Sequence, residues 1–390
     1  MAGRRSLHAK EDLRQGTNLL RTSVDYPFLI LVLLLLAVGL TMLYSASFAQ
    51  SHYDTGYESS TKYLQKQAVC ALLGLAGMWV FSRIPVGFWY RCAWPVYAAS
   101  IVLLLLVLVV GESVNGARRW INIAGVQFQP SEIAKFAMIL LLARLTKLYG
   151  SDARLFRKGV LGFGCAMLGL LVPLALEKHL SAIMLMGMVG VVMMFVAGTS
   201  PKWLAAGAAA AALFVLVYST FMGYAGDRVT AWLHPEQDPG DTGYQILQSL
   251  YAIGSGGLFG LGLGKSRQKY LYLPFQYNDY IFAIICEELG LIGALLIILL
   301  FSVTILRGYR IALQARDRFS TVFAAGLITL IAVQTILNLC VVTNLLPSTG
   351  IALPFFSYGG TALAVNLGQM GILLSISRQR NQPKLQEELL

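Results

Sequence analysis

Phe28–Leu40 reads FLILVLLLLAVGL. It is the centre of an uncharged run from Pro27 to Phe48, close to the roughly 20 residues a helix needs to cross a bilayer. The run shows none of the strict apolar–polar alternation of a barrel strand, so it reads as a membrane helix. The segment before it, 1–26, is polar and carries Arg4, Arg5, Lys10, Arg14 and Arg21. No clear small-residue cleavage site follows the run, so it is expected to remain as a first span rather than leave as a signal peptide.

The rest of the chain resembles this stretch. Apolar residues make up 57% of it and charged residues only 13%. Soluble domains carry about 25% charged residues, so a soluble enzyme is excluded. The net charge of +11 is then assigned to basic loops against anionic lipid, not to nucleic acid. The expected fold class is an all-α integral membrane protein of about ten transmembrane helices, with a large extracytoplasmic loop between helices 7 and 8. The expected spans are 27–48, 64–82, 92–110, 131–147, 159–176, 180–197, 203–222, 279–306, 320–342 and 358–377. Residues 1–26 and 379–390 are expected as cytoplasmic tails around a membrane domain, 27–378, whose outer loop is 223–278. About two thirds of the 30 lysines and arginines fall on the side of the amino terminus, which places both termini in the cytoplasm. Cys70, Cys92, Cys165, Cys286 and Cys340 lie in or beside apolar runs without CxxC spacing, and read as small buried hydrophobes.

Polar residues in such a chain mark sites, because lipid cannot solvate them. The longest polar interruption, 227–288, holds a dense glycine run between Gly254 and Gly264 followed by Lys265, Arg267 and Lys269. Glycine permits close backbone approach to a phosphate, with the cations completing an anion site. The spacing does not match a P-loop. Asp279 opens the eighth span. It is either the N-cap of that helix or a partly desolvated general base. Glu287 and Glu288 lie two to three turns deeper and need a partner or a polar cavity. Glu132 and Lys135 have the i, i+3 spacing of a facing ion pair. Trp120 after Arg118 and Arg119 is either an interfacial anchor or a platform for a sugar or lipid head, with the arginines pairing a phosphate. His8, His52, His179 and His234 are scattered, so carboxylate and cation chemistry is favoured over a nucleophilic triad.

Four blocks occur in order: GARRWINIAGVQFQPSEIAK (116–135), DPGDTGYQILQSLYAIGSGGLFGLGLGKSRQKYLYLP (238–274), NDYIFAIICEELG (278–290) and LPSTGIALPFFSYGG (346–360). Together they resemble the SEDS family of shape, elongation, division and sporulation proteins. The resemblance runs from about Tyr26 to Arg378 and is nearest to the division and sporulation members. It implies a peptidoglycan glycosyltransferase of the bacterial cytoplasmic membrane. Lipid II would be polymerised into β-1,4 glycan at the outer face, with undecaprenyl pyrophosphate as the leaving group. Asp279 matches the family's essential acid, Trp120 its outer-loop tryptophan, Glu132 and Lys135 its polar pair, and Glu287 and Glu288 its paired acids. Arg118, Arg119, Lys265, Arg267 and Lys269 are the nominated substrate cations. No cofactor is required, and a divalent cation, Mg2+ or Mn2+, is a candidate aid to the pyrophosphate.

The implied partners are a class B penicillin-binding protein and other divisome or elongasome proteins. The small residues Gly293, Ala294, Ala324, Ala325 and Gly326 mark either a candidate docking flank for that partner's helix or close packing within the bundle. A lipid II flippase is the rival reading. Where many members read E-P-D-L-G this chain has Glu177–Lys178–His179–Leu180–Ser181, losing an acid, and the residues around Asp279 are Asn278 and Tyr280.

Overall fold

The computed structural model describes residues 24–114, 117–123, 126–207, 209, 213, 231–237 and 242–379. Its helices are α1 (Tyr26–Asp54), α2 (Lys62–Phe81), α3 (Val86–Val110), α4 (Pro130–Tyr149), α5 (Phe163–Leu176), α6 (Leu180–Val196), α7 (Thr242–Ser255), α8 (Ile281–Leu313), α9 (Arg318–Val342) and α10 (Gly360–Ser377). A π-helical turn, Phe156–Gly162, leads into α5. Among the described residues, seven helices are long and apolar enough to cross a membrane. Every expected span except 203–222 coincides with a helix; that one lies mostly outside the described residues. The chain is a multi-pass helical membrane protein.

Hydropathy missed two elements. Glu112–Val114 (β1), Ala117–Ile123 (β2) and Val126–Phe128 (β3) form a small antiparallel sheet in the order β1–β2–β3. It pairs backbone groups of a segment that has too few apolar residues to cross the membrane. The other element, α7, lies inside the expected loop 223–278. Gly243, Ile246, Ser249 and Ala252 are its buried positions, at i, i+3 spacing. It is therefore a short amphipathic helix laid on the bundle rather than through it. Its Ser249 hydroxyl donates to the Val342 carbonyl at the end of α9, 2.9 Å away.

The start of α1 and the end of α10 share one face. Asp25 caps α1 by accepting from the Phe28 N–H at 3.0 Å and pairs with Arg307 of α8 at 3.0 Å. Its own N–H donates to the Ser377 hydroxyl at 3.2 Å. The described residues of the loops 112–129, 177–179, 256–280 and 343–359 gather at the opposite face.

α9 and α10 are the most enclosed of the candidate spans. Ala324 and Ala325 are buried, and a methyl at Gly326 would meet Ile139 and Met193 of α4 and α6 within 3 Å. These small residues of α9 therefore serve close helix packing within the chain, the second of the two expected roles, rather than a docking flank. Ala294 of α8 is buried too. All five cysteines are free; Cys165 is exposed on α5 rather than buried.

α8 is broken at Gly290, whose φ of 67° and ψ of −171° interrupt the helical ladder. The glycine-rich loop repairs the break. Leu261 and Gly262 N–H groups donate to the Glu287 and Glu288 carbonyls at 2.9 and 3.0 Å, and the Leu291 N–H donates to Gly257 at 2.9 Å. The two chains approach so closely that a Cβ at Gly290 would lie 2.3 Å from the Gly260 nitrogen. The glycines between 254 and 264 thus serve a backbone-to-backbone contact. A helix break at membrane depth is tolerated only where such partners exist.

Candidate functional site

A cavity of about 1250 Å³ opens at the loop face. α2, β2, α4, the α5–α6 turn, residues 275–279, α9 and the loop 348–360 each contribute to its wall. Five of the expected site residues meet there: Asp279, Trp120, Arg119, Glu132 and Lys135.

Asp279 is not the helix cap. α8 begins at Ile281 with Tyr280 at the cap position, and no side chain caps it. The main chain of Asp279 is held instead by Asn338 of α9. The Asn338 amide nitrogen donates to the Asp279 carbonyl at 2.7 Å and to the Ile351 carbonyl at 2.8 Å. One buried side chain therefore ties the segment that carries Asp279 to the glycine-containing loop beside it. The two segments are linked again by the Tyr358 N–H, which donates to the Tyr277 carbonyl at 2.9 Å. Asp279 Oδ2 lies only 3.8 Å from where a Cβ of Gly350 would stand.

Glu132 and Lys135 form an ion pair at 2.8 Å on the first turns of α4, both buried. Each neutralises the other, so α4 brings polar groups to the cavity floor without a bare charge. Arg119 on β2 donates to the Lys178 carbonyl, which ties the sheet to the α5–α6 turn. In that turn both carboxylate oxygens of Glu177 are buried and accept no hydrogen bond. Burial pushes its carboxyl up to about 8, and the nearby Arg119 charge offsets this only in part. His179 lines the cavity with a buried, unpartnered Nδ1. Burial, then the charges of Arg119 and Lys135, push it down to about 3, so it is a neutral imidazole at working pH. The EKHLS departure thus places an uncharged ring in the wall.

The remaining expected residues are elsewhere. Arg118 is exposed and donates to the Leu108 carbonyl at 3.0 Å; Lys265 and Arg267 are exposed on the glycine-rich loop. Lys269, nominated as a substrate cation, is 2% exposed and pairs with Glu288 at 2.9 Å. Its ammonium also donates to Ser45 Oγ at 3.1 Å and to the Gly264 carbonyl at 2.6 Å. Glu287 accepts from the Arg267 N–H at 3.0 Å, the Gln268 N–H at 3.3 Å and the Ser266 hydroxyl. Glu287, Glu288 and Lys269 therefore form a closed knot that fixes the loop to α8 and α1. None of the three lines the cavity.

Sequence reasoning did not nominate Lys62 and Lys66 of α2, Tyr63, Tyr277 and Tyr358, or Gln334 of α9, all of which line the cavity. Tyr63 lies 4.4 Å from Tyr277 and 5.0 Å from Tyr358, ring to ring. Gln334 and Asn338 were visible as polar residues at i, i+4 in an apolar span; Lys62 and Lys66 share that spacing. Among the described residues no three His, Cys, Asp or Glu side chains come together. A Mg2+ ion needs only one or two protein carboxylates when substrate phosphates supply its other ligands.

The chain as a whole has known relatives. The FtsW/RodA/SpoVE family model, described as "Cell cycle protein", matches residues 26–382. The chain belongs to that family, which is the SEDS family. It is 42% identical to stage V sporulation protein E of Bacillus subtilis, covering 92% of this chain and 98% of that protein. It is 40% identical to a probable peptidoglycan glycosyltransferase FtsW of Geobacter sulfurreducens, covering 89% and 94%. Among solved structures it is similar to a chain from work on structural coordination of polymerization and crosslinking by a peptidoglycan synthase complex. That match has a TM-score of 0.77 and 28% identity, and covers 92% of this chain and 99% of the other. The rod shape determining protein RodA of Thermus thermophilus matches with a TM-score of 0.68 and 28% identity, covering 93% and 99%.

Proposed function

We propose that the chain is a peptidoglycan glycosyltransferase that polymerises lipid II into β-1,4 glycan at the outer face of the bacterial cytoplasmic membrane. The carrying observation is the convergence of Asp279, Trp120 and Arg119 on one cavity at the loop face, with the Asp279 main chain clamped by Asn338. Asp279 takes the proton from the 4-hydroxyl of the acceptor sugar. That oxygen attacks the anomeric carbon of the donor, the bond to the lipid pyrophosphate breaks, and the configuration inverts from α to β. A cavity shared by cations and a carboxylate supplies both the base and the charge that steadies the leaving group. Glu132 and Lys135 shape the floor, and Trp120 offers an aromatic face to a sugar.

The same reading assigns a class B penicillin-binding protein as partner, because relatives are named for peptidoglycan synthesis and one structural relative comes from a peptidoglycan synthase complex. It also places both termini in the cytoplasm. An impermeant thiol reagent on intact cells should label Lys265→Cys and spare Arg380→Cys; the reverse pattern overturns the orientation.

The main test is glycan formation from lipid II by purified protein in detergent, with the transpeptidase added. Asp279→Asn should fold, retain lipid II binding, and lose at least about a hundredfold in rate. Near wild-type polymerisation by that variant overturns the general base. Lipid II movement across vesicles without any polymer from the wild-type protein would make the chain a flippase instead.

A further inference from the structure

We infer that Lys62 and Lys66 form, with Arg119, the subsite for the diphosphate of the lipid-linked donor, an inference that rests on the glycosyltransferase reading above. The first observation is the charge of the cavity. Its wall carries Lys62, Lys66, Arg119 and Lys135 against Glu132 and Asp279. Glu132 and Lys135 cancel in their 2.8 Å pair. By formal charge the wall then carries Lys62, Lys66 and Arg119 against Asp279, and a concave wall of one sign draws the opposite charge toward it.

The second observation is that the two lysines have no carboxylate. Among the described residues neither forms an ion pair. Lys62 reaches only the Asp54 carbonyl, at 3.5 Å, and stands over the Tyr63 ring at 5.9 Å. The carboxylate of Asp54 is already used: it accepts from the Tyr63 hydroxyl and from Gln50 Nε2 at 2.8 Å. Two ammonium groups at i, i+4 repel each other, and they stand at the positive end of α2. An anion bound beside them relieves that repulsion. A diphosphate presents several charged oxygens and answers both point charges at once.

The third observation is place. Tyr63 lies between the lysines in sequence and packs on Tyr277 at 4.4 Å, and Tyr277 is two residues before Asp279. The lysines and Asp279 therefore line the same cavity, on segments joined by the Tyr63–Tyr277 contact. Lys265, Arg267 and Lys269 lack this placement, since none lines the cavity.

The experiment compares wild-type protein, Lys66→Gln, Lys62→Gln/Lys66→Gln and Lys66→Arg, all purified as the full chain in detergent and matched for thermal stability. The probes are polyprenyl diphosphate without sugar, the corresponding polyprenyl monophosphate, and phosphatidylglycerol. Wild type should prefer the diphosphate. The double variant should lose at least about tenfold of diphosphate affinity, the scale of one charge-assisted contact, with a smaller change for the monophosphate. Lys66→Gln should lose part of it and Lys66→Arg should keep most. With lipid II, KM should rise more than kcat falls.

Unchanged diphosphate affinity in the double variant overturns the subsite. Equal losses for diphosphate and phosphatidylglycerol also overturn it, because the lysines would then be general headgroup anchors. If Lys66→Gln alone is well folded and binds diphosphate like wild type while the double variant misfolds, the subsite fails as well. Binding is read without turnover, so its failure in a protein that still polymerises leaves the glycosyltransferase standing. Lysine-dependent binding in a protein that never polymerises does the reverse.

Discussion

Asp279 and Glu288 are acids at the start of one helix segment, nine positions apart, and they meet opposite fates. Glu288 is fully buried, and its oxygens accept from Ser45, Lys269 and the Ser266 N–H. Asp279 lines an open cavity and is held through its main chain. A buried charge whose hydrogen bonds are complete is a structural part, because any movement strands it in a medium that cannot solvate it. Asp279 instead stands in the cavity wall, where a substrate can meet it. The contrast separates the anchoring of the glycine-rich loop from the chemistry beside it.

The largest expected effect tests the closed half of that contrast. Lys269→Met leaves Glu288 buried and unpaired and should cost on the order of 3–5 kcal/mol of stability. Asp279→Asn should leave the melting temperature near wild type. Adding Glu288→Gln to Lys269→Met should recover part of the loss, read as a double-mutant cycle in thermal unfolding. A Lys269→Met protein as stable as wild type but unable to use lipid II would dissolve the contrast and return Lys269 to the substrate.

Glu132 and Lys135 lie between the two cases, being a closed pair on an open cavity. Glu132→Ala and Lys135→Ala should each lower stability and activity, and the double variant should lose less than the sum. The interaction energy should fall within about 0.5–3 kcal/mol. Additive effects on melting would mean that the charges act separately, each toward the cavity.

The smallest effect concerns Glu177, a buried acid that belongs to neither group. Its folded pKa is raised from 4.5 to about 8 by burial. A carboxyl that holds its proton more tightly when folded adds stability that is fully present below pH 4.5 and is lost as the pH rises through 8. Glu177→Gln should therefore match wild type near pH 4.5 and melt higher at pH 8.5, by on the order of 1–3 kcal/mol. A variant that melts lower at pH 8.5 would mean that ionised Glu177 has a partner, Arg119 being the charge that already acts on it.

The spans at 27–48, 320–342 and 358–377 could be read from hydropathy, which reports locally whether a residue faces water or lipid. The Glu132–Lys135 pair was legible because both residues sit on one helix, where i, i+3 spacing alone makes them neighbours. Asp279 stood out as an acid at the edge of an apolar run. The amphipathic α7 was hidden because its buried stripe, Gly243, Ile246, Ser249 and Ala252, includes serine and glycine and so barely registers as apolar.

Lys269 and Lys66 show where such reading stops. Both are lysines in polar stretches near membrane helices, and nothing local distinguishes the one locked on Glu288 from the one facing the cavity. What the sequence by itself determined is the membrane class, most of the helices, the family, and the presence of isolated polar residues. Only the tertiary structure decided that α2, β2, α4, α9 and the Asp279 segment enclose one space, while Glu287, Glu288 and Lys269 close on themselves. The physical reason is that hydropathy and helical period describe the solvent around a residue and its neighbours along one helix. Pairing between polar groups more than 200 residues apart, such as the Ser45 hydroxyl with the Glu288 carboxylate, depends on how the helices pack.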